Sequence, residues 1–158
     1  MLIAKRIFAK IQKMASLRQF LIQKGYNRIK IFFTETDHFA VSAIINGVEG
    51  RFILDTGASS TCVDFSKLNF FNLFAKDSDV KAAGAGALNM LTQVSESNKL
   101  KLGKWSKDNV NIVIFDLSHV NQALLDHNTE EVDGIIGADI LKKGKAVIDY
   151  KQKALYLK

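Results

Sequence analysis

The sequence predicts a mainly β domain preceded by one helix, with one or two further short helices inside it. Three observations carry that expectation. Apolar and polar residues alternate over much of the chain after Ile29, which is the period of a half-buried strand. Turn signals headed by Asn46-Gly47 punctuate those runs, as they do between paired strands. Proline, low-complexity linkers and internal repeats are absent, so the short strands belong to one compact β fold rather than a layered α/β one. At 158 residues and 47% hydrophobic composition the chain is long enough to bury a real core.

Taken in order, residues 1–28 form a basic amphipathic helical segment and residues 29–158 the domain. Ile3, Ile7, Ile11, Met14, Leu17 and Leu21 recur every three or four positions and make one helical stripe, which Gly25 stops. Ile29, Ile31 and Phe33 begin the strand period, and Phe39 to Ile45 runs into Asn46-Gly47, the strongest short hairpin signal. The returning strand is Val48 to Leu54. Thr61 to Val63 reads as a short strand, and Phe65, Leu68, Phe71 and Phe74 have the spacing of a core-facing helix. Two extended arms surround the tip Ala82 to Leu88, followed by a strand through Val110, Ile112 and Ile114. A helix over residues 118–127 is expected with Ser118 as its N-cap. The chain ends in two strands, Lys145 to Tyr150 and Ala154 to Leu157, around a Lys-Gln-Lys turn.

Composition removes several function classes. The net charge of +6 is uneven: eight of the 22 basic residues lie in residues 1–30 with no acid, while the remaining 14 share the chain with all 16 acids. The basicity therefore belongs to the N-terminal segment and makes no case for nucleic acid binding by the domain. For that segment, packing against the body or a partner helix is favoured over contact of residues 1–24 with a membrane surface. Lysines interrupt it too often for a signal peptide, and no apolar run is long enough to span a bilayer. The expected location is cytoplasmic. A single cysteine, Cys62, excludes an intrachain disulfide and reads as a small buried hydrophobe, and three scattered histidines lack ligand spacing, so no metal is expected.

The residues that carry chemistry begin at Phe-Ile-Leu-Asp-Thr-Gly-Ala-Ser, residues 52–59, where an apolar strand ends on the carboxylate of Asp55. An aspartyl-phosphate enzyme wants a second acid two positions on, where Gly57 stands. A dinucleotide site built on Gly84 and Gly86 lacks its third glycine, replaced by Asn89. The stretch instead resembles the active-site signature of the retropepsin-like, single-domain aspartic proteases. A second match is Ile135-Ile136-Gly137-Ala138-Asp139-Ile140-Leu141, followed by Lys-Ala-Val-Ile-Asp-Tyr and Ala-Leu-Tyr-Leu. It resembles the other hallmark of that branch: two apolar residues, a glycine, a short helix and a final hairpin. The resemblance covers residues 29–158.

The resemblance implies a closed β-barrel acid-protease fold and an endopeptidase working without cofactor on an extended peptide. In that family two aspartates share one proton, one activating water and the other protonating the carbonyl oxygen. One motif per chain implies a homodimer with Asp55 of each subunit at the two-fold axis. Thr56 is expected to bond across that interface and Gly57 to bring its amide to the carboxylate. Ala58 replaces a hydroxyl found in some relatives, which places the pH optimum nearer neutral. Ile135, Ile136 and Gly137 support the catalytic loop. Gly84, Ala85 and Gly86 occupy the place of the flap, a hairpin that closes over substrate. Asp139 and Asp149 are expected as surface or helix-cap acids. Two alternatives accompany this reading: a catalytically weak or inactive peptide-binding or dimerisation module, and a proenzyme whose basic helix blocks the groove.

Overall fold

The computed structural model describes residues 16–84 and 87–158. Helix α1 (Leu17–Gln23) starts at a capping box in which Ser16 Oγ accepts from Gln19 N and the Gln19 side chain accepts from Ser16 N, satisfying two donors the helix leaves open. It ends at Gly25, whose φ of +83° needs a residue without Cβ. Leu21 is buried against Ala154 and Tyr156. Ile3, Ile7, Ile11 and Met14 of the sequence stripe lie outside the described residues.

Two sheets follow. The smaller has the order β1 (Asn27–Lys30), β11 (Ala154–Leu157), β10 (Val147–Asp149), all antiparallel. The larger contains β2 (Phe32–Phe33), β3 (Phe39–Ile45), β4 (Val48–Leu54), β5 (Cys62–Asp64), β6 (Ala75–Gly84), β7 (Ala87–Leu102), β8 (Trp105–Phe115) and β9 (Gly134–Ile136). Its order is β2-β3-β4-β9-β5-β8-β7-β6, and β7 pairs back onto β3 through Ile44↔Lys101 and Ile45↔Leu100. That last pairing closes six strands, β3-β4-β9-β5-β8-β7, into a barrel, leaving β2 and β6 as flanking strands. The mainly β, closed-barrel expectation is thus borne out.

The barrel interior is filled by the inward residues of alternating strands: Val41, Ala43 and Ile45 from β3, Phe52 and Leu54 from β4, Leu100 and Leu102 from β7, and Val110, Ile112 and Ile114 from β8. Val63 of β5 and Ile136 of β9 complete the same core. The Asn46-Gly47 turn forms where the sequence places it, with φ of 48° and 89°, the left-handed values a tight hairpin requires. Asn46 does more than turn the chain. Its amide donates to the carbonyls of Phe71 and Asn72 and to Asn98 Oδ1, and its own oxygen accepts from Lys99 N.

Two local expectations are corrected. Residues 65–74 do not make a core-facing helix: only the 3-10 turn Phe65–Lys67 forms. Asp64 caps it, accepting from Ser66 N at 2.8 Å, and also accepts from Leu117 N at 2.8 Å. Asn72 then takes a left-handed φ of 52°, so Phe71 is buried while Phe74 is 86% exposed. The second correction concerns helix α2 (Ser118–Asp126). Its cap position is Leu117, not Ser118, and Asp116 Oδ1 accepts from Ser118 N at 2.8 Å. Bonds from the Ser118 hydroxyl and then its amide hold the Asp116 carboxyl below its usual range. Leu124 and Val120 of α2 pack on Ile53, Val132 and Ile135, bracing β4 and β9 from outside the barrel.

Candidate active site

The site is built on the end of β4. Phe52, Ile53 and Leu54 are buried, and the chain leaves the barrel at Asp55, whose amide donates to Ile136 O at 3.0 Å. The carboxylate then accepts from Gly57 N at 2.7 Å, an aspartate turn that fixes the side chain over its own loop. A Cβ on Gly57 would lie 3.2 Å from Asp55 Oδ1, so a larger residue there would press the carboxylate aside by a few tenths of an ångström. Asp55 is half-buried, while Thr56 and Gly57 are exposed. The strand anchors a carboxylate and the turn offers it outward.

Strand β9 threads between the two strands that flank this loop. It runs parallel to β4, with Ile53↔Ile135 and Leu54↔Ile136, and antiparallel to β5, with Cys62↔Ile135 and Val63↔Gly134. The threading demands small residues. A Cβ on Gly134 would collide with the Cys62 carbonyl and come within 2.7 Å of the Phe52 ring; one on Gly137 would sit 2.6 Å from the Ser60 carbonyl. Ile135, Ile136 and Gly137 therefore lie directly against the loop that carries Asp55. Cys62, in the same layer, is buried, and that burial pushes its thiol up to about 12.

Helix α3 (Ala138–Lys143) begins where β9 ends and holds the far side of the loop. Ala138 N donates to Ala58 O at 2.8 Å, which makes Ala58 a backbone anchor. Thr61, fully buried, gives Asp139 Oδ1 two bonds, from its amide at 2.9 Å and its hydroxyl at 2.8 Å, while its hydroxyl accepts from Gly137 N at 3.0 Å. Asp139 is thus a clamp across the loop, beyond the surface or cap role the sequence assigns it. Its place in the first turn of α3 also puts a negative charge at the favourable end of the helix dipole. Asp149 accepts from Gln152 N and shapes a turn. The clamp is the feature sequence reasoning missed, because Thr61 and Asp139 lie 78 positions apart in the chain and only the fold brings them together.

Thr56 forms one wall of a cavity of about 380 Å³ shared with Ala138, Leu141, Lys142, Lys145, Ala146 and Ile148. The Asp55 loop and β10 therefore border the same hollow, and among the described residues β10 is the outer strand of its sheet. Of the three residues expected in a flap, Gly84 ends β6 and pairs with Ala87, whereas Ala85 and Gly86 lie outside the described residues. Among the described residues no group of three or more His, Cys, Asp or Glu side chains is placed to hold a metal ion.

A closed six-stranded barrel with a single Asp-Thr-Gly turn, and β9 threaded between the strands around it, defines a retropepsin-like acid protease domain. The chain belongs to the aspartyl protease family, whose model, described as aspartyl protease, matches residues 41–140. A retropepsin-like aspartic protease from Rickettsia conorii is similar in structure at 18% identity and a TM-score of 0.56, with 84% of this chain and 90% of that one covered. The retroviral protease-like domain of Ddi1 from Leishmania major is similar at 18% identity and a TM-score of 0.52, covering 76% and 87%. These likenesses establish the fold. No curated protein matches the chain in sequence.

Proposed function

We propose that the chain is an aspartic endopeptidase that cleaves extended peptides at a pair of Asp55 carboxylates, one from each subunit of a homodimer. The observation that carries this reading is the presentation of Asp55: a rigid strand, a glycine amide at 2.7 Å and the β9–α3 support hold one carboxylate at an exposed turn. One such acid per chain is half of the chemistry. Water adds to the peptide carbonyl carbon as one carboxylate takes its proton and the other protonates the carbonyl oxygen. The C–N bond then breaks as a carboxyl proton passes to the leaving nitrogen. Two like charges brought together share a proton more readily than both ionise, which suits them to these opposite tasks.

Among the described residues β10 is the outer strand of its sheet beside Thr56, which supports a symmetric partner at this face, because an outer strand presents backbone groups to a copy of itself. Thr56 then braces the two loops across the axis. The β6–β7 hairpin, which includes Gly84 and leads to Ala85 and Gly86, serves as the flap. The expected site of action remains the cytoplasm. The deciding experiment measures cleavage of a panel of extended peptides together with solution mass. Cleavage by a dimer, abolished in Asp55→Asn with the mass unchanged, is the expected result. Peptide binding without cleavage in both proteins identifies a binding module instead.

A further inference from the structure

Charge is segregated in the folded chain in a way the catalytic site does not use. Residues 16–34 and 150–158 carry seven basic side chains and no acid, whereas all 16 acids lie within residues 35–149. The fold unites those two distant segments. β1 pairs with β11 along its length, Arg28 donates to Gln152 O, and Leu21 of α1 packs onto Ala154 and Tyr156. The result is one basic layer over the outer face of the small sheet.

The same layer exposes apolar side chains in unusual number. On α1, Leu17, Phe20 and Ile22 are 47%, 50% and 48% exposed, and Phe32, Phe33 and Tyr150 stand out beside the sheet. Lysines lie against these rings: Lys24 at 5.7 Å from Phe20, Lys30 at 4.9 Å from Phe32 and Lys153 at 4.9 Å from Phe33. Aromatic bodies with ammonium groups beside them match a lipid headgroup boundary, where rings lie at headgroup depth and lysine stems run along apolar surface toward phosphate. We propose that this layer, α1 with β1, β2 and the turn at residues 150–153, is a docking surface for an anionic membrane. A second copy is a poor occupant, since seven like charges would face seven. Nucleic acid would satisfy the charges yet leave the half-exposed Leu17 and Ile22 without an apolar partner.

The test uses the full chain with vesicles of phosphatidylcholine alone or with roughly 30 mol % phosphatidylserine, read by co-sedimentation. The protein is expected to partition onto the anionic vesicles only, and to be released as salt rises and the Debye length contracts. Each basic group near such a surface contributes roughly fivefold to partitioning, so Arg28→Gln, Lys30→Gln and Lys153→Gln together lower it about a hundredfold. Phe20→Ser with Ile22→Ser, which removes surface apolar groups without charge, lowers it about tenfold. Both variants should melt as the parent does and keep the parent's peptide cleavage. Equal binding to neutral vesicles overturns the proposal. Binding unaltered by the triple substitution also overturns it, since the four basic residues within residues 1–15 would then carry the attraction. So does a duplex DNA complex that depends on these residues while vesicle binding does not.

Discussion

The clamp between Thr61 and Asp139 gives a quantitative handle on the loop that holds Asp55. Asp139→Ala removes both bonds that Thr61 donates, at 2.9 and 2.8 Å, and leaves a fully buried amide and hydroxyl without their acceptor. Bonds to a charged group contribute roughly 1.5–3 kcal/mol each, so the loss of two gives an expected destabilisation of about 3–6 kcal/mol. Asp139→Asn keeps an oxygen at the same place but makes both bonds neutral and about half as strong, a loss of about 1.5–3 kcal/mol. For a chain of this length 1 kcal/mol moves the melting temperature by about 2–4 °C. The alanine variant should melt about 13 °C lower and the asparagine variant about 7 °C lower. Melting is followed by circular dichroism at one fixed protein concentration, because the proposed dimer would couple stability to concentration. Equal shifts in the two variants, or a loss below about 1 kcal/mol in Asp139→Ala, would refute the assignment.

Other consequences of the site separate stability from chemistry. Gly57→Ala places a Cβ 3.2 Å from Asp55 Oδ1; the displaced carboxylate should lower kcat/KM by about 10- to 100-fold while the melting temperature stays within about 2 °C of the parent. A variant that loses both together would mean the loop is unfolding. Burial raises the Cys62 thiol from 9.0 to about 12, so the folded state keeps its proton where the unfolded chain has released it. Cys62 therefore contributes stability that is complete below pH 9.0 and lost as pH rises toward 12. Cys62→Ala should flatten the alkaline fall in melting temperature. A chromogenic disulfide reagent should report no thiol in the native protein and one after unfolding; ready reaction of the native protein would contradict the burial.

The sequence carries the site better than it carries the frame around it. Strand β4, the Asn46-Gly47 turn, the Asp55 loop and the run from β9 through β11 are local patterns, each written within about two dozen consecutive residues or fewer, and the structure forms them where the alternation and turn residues indicate. Barrel closure was not legible in the same way, because the pairing of Ile44 and Ile45 with Lys101 and Leu100 joins strands far apart in the chain. The segment at residues 65–74 shows why spacing alone misleads. Phe65, Leu68 and Phe71 have helical intervals, but Asp64 commits its carboxylate to Ser66 and Leu117, and Asn46 captures the carbonyls of Phe71 and Asn72. Leu117 and Asn46 come from loops distant in the chain. The same applies to Asp139, an ordinary first-turn acid by position, whose role appears only when Thr61 is brought beside it.

Asn46 also bears on how the molecule ages. An asparagine followed by glycine is the pair most prone to lose its amide nitrogen, because the next backbone nitrogen meets little hindrance in attacking the side-chain carbonyl. Here that amide is held by three donated bonds and one accepted bond, which keeps it from swinging into the cyclic geometry. Deamidation should therefore proceed from the unfolded chain and leave the native barrel alone. Once it occurs, the new carboxylate has no hydrogen to give to the oxygens around it, and a chain damaged before folding would refold less readily.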